Sequence, residues 1–138
     1  MATAGDVVTR SLQLLSVAGI GRAASAEEMA GGLTALRDML AQWEMEGVRL
    51  GAIVGVDLIS TTVMPFPASH LDPIQSNLAM RLAPEYGASP SPALATLASM
   101  GMAALQAMYL QVPKLRSEIV STYRGTRLCQ VARGIAIR

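Results

Sequence analysis

Four segments of this chain repeat apolar residues at spacings of three and four, and glycine, proline or serine bounds each segment. This spacing puts the apolar residues on one face of an α-helix, so it predicts four amphipathic helices. The first is predicted over about residues 5–18. The second begins at a Ser25–Glu28 capping box and ends at Gly47, a glycine suited to the left-handed C-terminal turn. Gly31 and Gly32 within it indicate either a close helix contact or an irregular turn.

The third and fourth predicted helices follow proline-containing loops. Ser69 forms a weaker capping pair with Asp72, and Pro73 lies in the first turn, where its missing amide is tolerated. The third helix is mostly apolar and is expected to be the most buried element. The fourth helix starts at Pro92 and runs to about Tyr109. Small residues surround its apolar stripe, so it can approach neighbours closely on more than one side.

Two segments do not follow the helical spacing. β-Branched residues are frequent after the second helix, which predicts short strands or an extended arm there. The last part of the chain contains glycines and alternating apolar residues, which indicates an extended or partner-ordered tail. The predicted fold class is therefore mainly α. It comprises a helical body of residues 1–112, with an arm at about residues 48–68, and a basic C-terminal tail of residues 113–138.

The chain carries little charge for its length. Charged residues make up 15% of the sequence and hydrophobic residues 51%, whereas an average soluble domain is roughly 25% charged. Such a composition is expected when other subunits cover part of the surface. A membrane span needs about 20 consecutive apolar residues, and charged residues, histidine and prolines interrupt the weakly charged stretches, so no transmembrane helix is predicted. The N-terminus lacks a signal-peptide pattern, which predicts a protein made in the cytoplasm.

The charge is unevenly distributed along the chain. Residues 113–138 hold six basic residues and one acid, a net charge of +5, and residues 1–112 hold five basic and nine acidic residues, a net charge of −4. The basic tail could bind an acidic protein surface, bind nucleic acid, or simply be solvated. A protein partner is favoured, because the tail has a single aromatic residue and no recognisable DNA-binding motif. The tail residues considered are Lys114, Arg116, Tyr123, Arg124, Arg127, Arg133 and Arg138.

Few residues could support catalysis. For His70, the only histidine, a surface or capping role is favoured over general-base chemistry. Cys129 is the only cysteine, which excludes an internal disulfide and favours a structural or incidental thiol. Glutamates near the ends of the second helix are interpreted as solvated helix termini. No catalytic, cofactor-binding or metal-binding residue is predicted, and the chain is not expected to be an enzyme.

Two longer stretches resemble a known family when they are taken together and in this order. They are "GLTALRDMLAQWEMEGVRLG", residues 32–51, and "NLAMRLAPEYGASPSP", residues 77–92. This pair resembles the head-to-tail adaptor family of tailed bacteriophages, which includes the packaged-DNA stabilisation proteins, or tail accessory factors. The resemblance covers roughly residues 5–112. The matching positions are Leu36, Leu40, Trp43, Glu46 and Gly47, then Asn77, Leu78, Ala79, Arg81, Leu82, Ala83, Pro84, Glu85 and Tyr86.

The resemblance implies a structural virion protein. Such adaptors form a ring, usually of twelve copies, below the portal, where they join the DNA-filled head to the tail and help retain packaged DNA. The implied partners are the portal protein, neighbouring adaptor copies and a tail or further connector protein. Non-specific contact with packaged DNA is compatible with this position, but no cofactor or membrane partner is implied. The implied location is the virion, after synthesis in the cytoplasm of a bacterial host.

Three sets of residues are predicted to carry this function. The basic tail is assigned to portal binding by its position in the chain, and Trp43 is predicted to anchor the second helix against the third. The structural motif comprises Trp43, Gly47, Asn77, Arg81, Pro84 and Tyr86, and the arm residues expected at a subunit interface are Val48, Leu50, Ile53, Val54 and Val56.

The alternative function is a small helical DNA-binding regulator, which would bind duplex DNA with a steep salt dependence.

Overall fold

The fold is a body of four α-helices. A computed structural model describes residues 1–17, 19, 22–50 and 57–109. The helices are α1, Ala4–Leu14; α2, Ala26–Met45; α3, Ala68–Leu82; and α4, Pro92–Tyr109. The predicted mainly helical body is confirmed. Within the described ranges, no helix combines the length and the apolar character that crossing a membrane requires.

Capping boxes begin the first two helices. At α2, Ser25 Oγ accepts from the Glu28 amide at 3.2 Å, and Glu28 Oε2 accepts from the Ser25 amide at 2.7 Å. This box was predicted from the sequence and is confirmed. A second box begins α1, where Thr3 and Asp6 make the same reciprocal pair of bonds. Each box satisfies amide groups that have no partner within the helix.

The predicted turn at Gly47 is also confirmed. Gly47 has a φ of +92°, which favours glycine. Its amide donates to the Glu44 carbonyl at 3.1 Å, and the Val48 amide donates to the Trp43 carbonyl at 2.9 Å. These are the two bonds of a Schellman motif, and both apolar residues that flank it, Trp43 and Val48, are buried. The turn therefore ends α2 and directs the chain back onto the core.

The predicted start of α3 was wrong. The helix begins at Ala68, after Pro67 at the N-cap, so Ser69 is inside the helix and does not cap it. Pro73 consequently lies in the second turn, where its missing amide leaves the Ser69 carbonyl without its usual partner. The helix nevertheless continues through Pro73 to Leu82. Asn77 Nδ2 donates to the Pro73 carbonyl at 2.8 Å.

The first helix is shorter than predicted. α1 ends at Leu14, and the next residue, Leu15, is its C-cap. Ser16 then adopts a φ of +59°, which is uncommon for a residue other than glycine. The left-handed residue follows the helix end, which comes four residues before the predicted end near residue 18.

The third helix occupies the centre of the body, because it packs against all three other helices. A buried serine joins it to α1: Ser11 Oγ donates to the Val7 carbonyl at 2.8 Å and to the Gln75 carbonyl at 3.1 Å. No buried side-chain nitrogen or oxygen in the described residues lacks a partner. The most deeply buried large side chains are Val7, Val8, Leu12, Leu36, Val48, Ile74, Leu78, Leu82 and Leu105.

The second half of the predicted arm lies on the body. The Ala4 amide donates to the Thr62 carbonyl at 2.8 Å, and the Met64 amide donates to the Ala2 carbonyl at 2.9 Å. Together with the bond from the Gly5 amide to the Ser60 carbonyl at 2.9 Å, these bonds place residues 60–64 along the N-terminal end of α1. The described part of the arm contains one isolated antiparallel bridge and no strand. The strand alternative is therefore not realised in residues 57–64.

Candidate functional site

The most unusual described surface is the exposed side of α4. The helix contains no charged residue, although surface helices normally direct charged and polar residues towards water. Leu97, Met100 and Met108 are 63%, 66% and 68% exposed. We name the α4 outer face as these three residues with the exposed alanines between and beside them, Ala93, Ala103, Ala104 and Ala107. An exposed apolar surface of this kind is a candidate contact surface for another protein.

An apolar groove of about 450 Å³ lies beside this face, where α4 meets α1 and α3. Leu97 and Met100 belong both to the α4 outer face and to the groove, and Leu14 lines it from α1. Two exposed residues, Arg10 and Asp72, supply its charges. We name this feature the α1–α4 groove. Its lining residues are Arg10, Leu14, Asp72, Pro73, Gln75, Ser76, Leu94, Leu97, Met100 and Gly101.

Close packing between α3 and α4 sets the orientation of the α4 outer face. A Cβ atom at Gly101 would lie 3.0 Å from Pro73 Cβ, so the glycine allows the two helices to approach closely. Asn77, a residue of the predicted motif, joins them through Nδ2, which donates to the Ala98 carbonyl at 3.0 Å. The side of α4 opposite to these contacts is left exposed.

Other motif residues also hold the body together. Trp43 is 5% exposed and belongs to the core cluster that contains the α3 residues Leu78 and Leu82. The prediction of Trp43 as a core residue is confirmed. Arg81 Nη1 donates to Gln42 Oε1 at 3.1 Å, which links α3 to α2 on the surface.

The end of the second motif forms the turn after α3. Pro84 follows Ala83, the C-cap of α3, and is exposed. Tyr86 is half-buried against the core. Burial and the neighbouring carboxylates of Glu28 and Glu85 raise the pKa of the Tyr86 hydroxyl above its ordinary value.

The residues predicted for a subunit interface fall into three groups. Val48 is 2% exposed and is part of the core, so a neighbouring subunit cannot contact it, and the prediction was wrong for this residue. Leu50 is half-buried and packs against the core. Ile53, Val54 and Val56 lie outside the described residues.

The residues predicted to bind the portal all lie outside the described residues, which end at Tyr109. Lys114 and Arg116 follow shortly after α4. The others are Tyr123, Arg124, Arg127, Arg133 and Arg138.

The sequence favoured a surface or capping role for His70, and the structure shows a buried side chain bonded to other side chains instead. His70 is 3% exposed. Its Nε2 lies 2.9 Å from Tyr109 Oη, and its Nδ1 lies 3.0 Å from Ser69 Oγ. The sequence contained a signal for this burial. His70 precedes Ile74 and Leu78 at intervals of four, so it lies on the buried face of α3. The His70–Tyr109 pair joins the start of α3 to the end of α4.

The described residues offer little chemistry for a catalytic site. Histidine, cysteine, aspartate and glutamate do not form a group of three within them that could hold a metal ion. Asp6 and Glu28 have pKa values below their ordinary values, chiefly because backbone amides of Thr3 and Ser25 donate to them. Both carboxylates are capping residues at helix starts, so these shifts reflect helix capping.

The α4 outer face, the α1–α4 groove and the sequence motifs are thus the features that bear on function. The first two are exposed apolar surfaces, and the motif residues mostly build the body that presents them. No family model matches this sequence, and no curated protein is significantly similar to it.

Proposed function

We propose that this chain is a head-to-tail adaptor of a tailed bacteriophage. It would form a ring below the portal, join the DNA-filled head to the tail, and help to retain packaged DNA. The two motifs at residues 32–51 and 77–92 support this proposal by their resemblance to that family. The observation that carries it is the α4 outer face, because each subunit of a ring buries surface against two neighbours.

The size of the apolar contact indicates where a ring would form. Full burial of a leucine or methionine side chain contributes about 1.5–3 kcal/mol, so the remaining burial of Leu97, Met100 and Met108 contributes roughly 3–6 kcal/mol together. Association costs an estimated 4–15 kcal/mol in lost freedom. The α4 outer face alone is thus insufficient for a stable ring. We therefore expect the ring to form mainly on the portal, where many simultaneous contacts add avidity.

Native mass spectrometry of the chain, alone and with the portal protein of the same phage, tests the proposal. The expected result is a small species alone and a fixed, ring-sized number of copies on the portal. The variant Leu97→Asp/Met100→Asp should assemble poorly, because it puts charge into an apolar contact. Met45→Asp is the matched control, since Met45 is 89% exposed but lies on α2. No binding to the portal would overturn the proposal.

A DNA-binding regulator is the competing function, and the charge of residues 113–138 favours it. Six basic residues and one acid in this segment are enough to contact phosphates. The same mass measurement with a DNA duplex distinguishes the two functions. A discrete DNA complex that weakens steeply as salt increases, together with no portal complex, would establish the regulator instead.

A further inference from the structure

The α1–α4 groove opens on the side of α3 that faces away from α2. Asp72 and Ser76 line the groove. Ile74 and Leu78 each follow one of these residues by two positions, about 200° further around the helix, and are buried in the core that includes α2 residues. A segment that leaves the body beside α2 therefore starts on the opposite side of α3 from this groove.

The described residues on both sides of residues 51–56 lie beside α2. Leu50, which precedes the segment, follows the C-terminal turn of α2 and packs against the core. Asp57, which follows it, lines a recess with Thr34 in the first half of α2.

The segment is too short to reach the groove of its own copy. Seven Cα–Cα steps from Leu50 to Asp57 span at most about 24 Å. Even when fully extended, no residue of the segment can lie more than about 12 Å from the nearer of Leu50 and Asp57. A single helix has a diameter of about 10 Å, and the layer formed by α1 and α3 separates α2 from the groove. The length of the segment does not prevent it from reaching the groove of a neighbouring copy.

The composition of the segment suits the groove. Residues 51–56 read GAIVGV and contain no charged or polar side chain, while the groove is lined mainly by Leu14, Leu97 and other apolar residues. The longest segment of the chain outside the described residues is 110–138, which carries six basic residues. Burying these without acidic partners would be unfavourable, and Asp72 is the one acid that lines the groove.

We propose that residues 51–56 of one copy bind in the α1–α4 groove of the next copy. The inference rests on the proposed function, because it assumes that copies meet side by side in a ring. Each copy donates its segment on the α2 side and accepts one on the opposite side of α3. Such a heterologous contact repeats from copy to copy and closes into a ring when the rotation permits.

Cysteine cross-linking in the portal-bound assembly tests this contact. In a Cys129→Ser background, one preparation carries Ile53→Cys and a second, with a different tag, carries Leu97→Cys. Oxidation of the mixture should produce a dimer that contains both tags, and a chain with both substitutions should produce a ladder of dimers, trimers and larger species. Ile53→Cys mixed with Gln106→Cys is the matched control, since Gln106 is exposed on α4 outside the groove, and this mixture should lose the cross-link.

Other products would overturn the inference. Assemblies without a cross-link between the two introduced cysteines would exclude the contact and leave the adaptor function intact. A cross-link within a single doubly substituted chain would place the segment in its own groove. In a separate preparation that keeps Cys129 and carries only Leu97→Cys, a cross-link between these two cysteines would make the tail the occupant. The absence of any assembly, with or without the portal, would overturn the proposed function and this inference together.

Discussion

At the scale of single residues, the two adjacent glycines of α2 meet different surroundings. A Cβ atom on Gly32 would overlap Val8 Cγ1 in α1, whereas one on Gly31 would meet nothing closer than the Tyr86 hydroxyl at 4.0 Å. The sequence left two explanations open for this pair, a close helix contact or an irregular turn. The helix is continuous through both positions, so the close contact is the correct explanation for Gly32.

Alanine at these two positions should therefore have different effects on stability. Both substitutions gain about 1 kcal/mol of helix propensity, and only Gly32→Ala overpacks the contact with Val8, which typically costs about 1–3 kcal/mol. Because the propensity gain is shared, Gly32→Ala should be less stable than Gly31→Ala by about 1–3 kcal/mol. Urea unfolding followed by circular dichroism measures this difference. Equal stabilities would mean that Val8 moves aside without cost.

A second residue-scale prediction concerns the buried histidine. Tyr109→Phe removes the hydroxyl that bonds His70 Nε2 and leaves a buried polar atom without its partner. Loss of such a partner should lower the free energy of unfolding by about 1–3 kcal/mol. Tyr86→Phe removes the same atom from a half-exposed side chain and is the matched control. If both variants have the same stability, the His70–Tyr109 bond contributes nothing measurable.

At the scale of elements, the cap of α1 should make stability depend on pH. Hydrogen bonds from Thr3 lower the pKa of Asp6 from its ordinary value of 3.8. A carboxylate whose pKa is lower in the folded state stabilises it above the unfolded pKa, and this contribution disappears as the pH falls through the folded value. Asp6→Asn should thus be less stable than the parent at pH 7, with the difference shrinking below about pH 4.

The measurement is the free energy of unfolding of both proteins between pH 7 and pH 3. Asp57→Asn removes the same charge outside any helix cap and is the control. Thr3→Ala should lower the free energy of unfolding by about 1 kcal/mol at pH 7, because it removes the side-chain oxygen that caps α1. A difference between Asp6→Asn and the parent that stays constant over the whole pH range would contradict the capping explanation.

Helix ends with strong local signals were predicted well. The Ser25–Glu28 box, the glycine turn at Gly47 and the start of α4 depend on residues within one turn of each other, so the sequence contains the whole interaction. At α4, for example, Ser91 Oγ accepts from the Leu94 amide at 3.2 Å. The Gly47 turn includes Trp43 of the motif, and both of its bonds join residues no more than five positions apart.

Elements that depend on distant partners were predicted less well. The Ser69 hydroxyl bonds the ring of His70, which Tyr109 also holds, so it does not cap α3. The arm residues 60–64 pair with the N-terminus, which lies more than fifty residues away in the sequence. The apolar spacing of α4 likewise did not distinguish the exposed Leu97 from the buried Leu94, since both follow the helical period. Which side of a helix is covered depends on the neighbouring elements.

At the scale of the whole molecule, charge and apolar surface are separated along the chain. The acidic residues belong mostly to the helical body, the uncharged surface belongs to α4, and the basic residues cluster after residue 112. This separation suits a subunit that meets its own copies through apolar contacts and a different partner through charge. The apolar contacts and the charged contacts use different residues, so mutation should affect them separately. Salt should weaken the charged contacts and leave the apolar ones.

Deletion of residues 114–138 tests this separation. The truncated chain retains α1–α4, so its circular dichroism spectrum should keep the helical signal. Its binding to the portal should be lost, because the net charge of +5 on residues 113–138 that would meet an acidic portal surface is removed and the avidity of many copies is lost with it. A full-length control with the six basic residues of the tail replaced by glutamine preserves chain length and should fail in the same way. Binding that survives in the glutamine variant but not in the truncation would assign portal recognition to the apolar residues of the tail, and binding that survives in both would place the portal contact on the helical body.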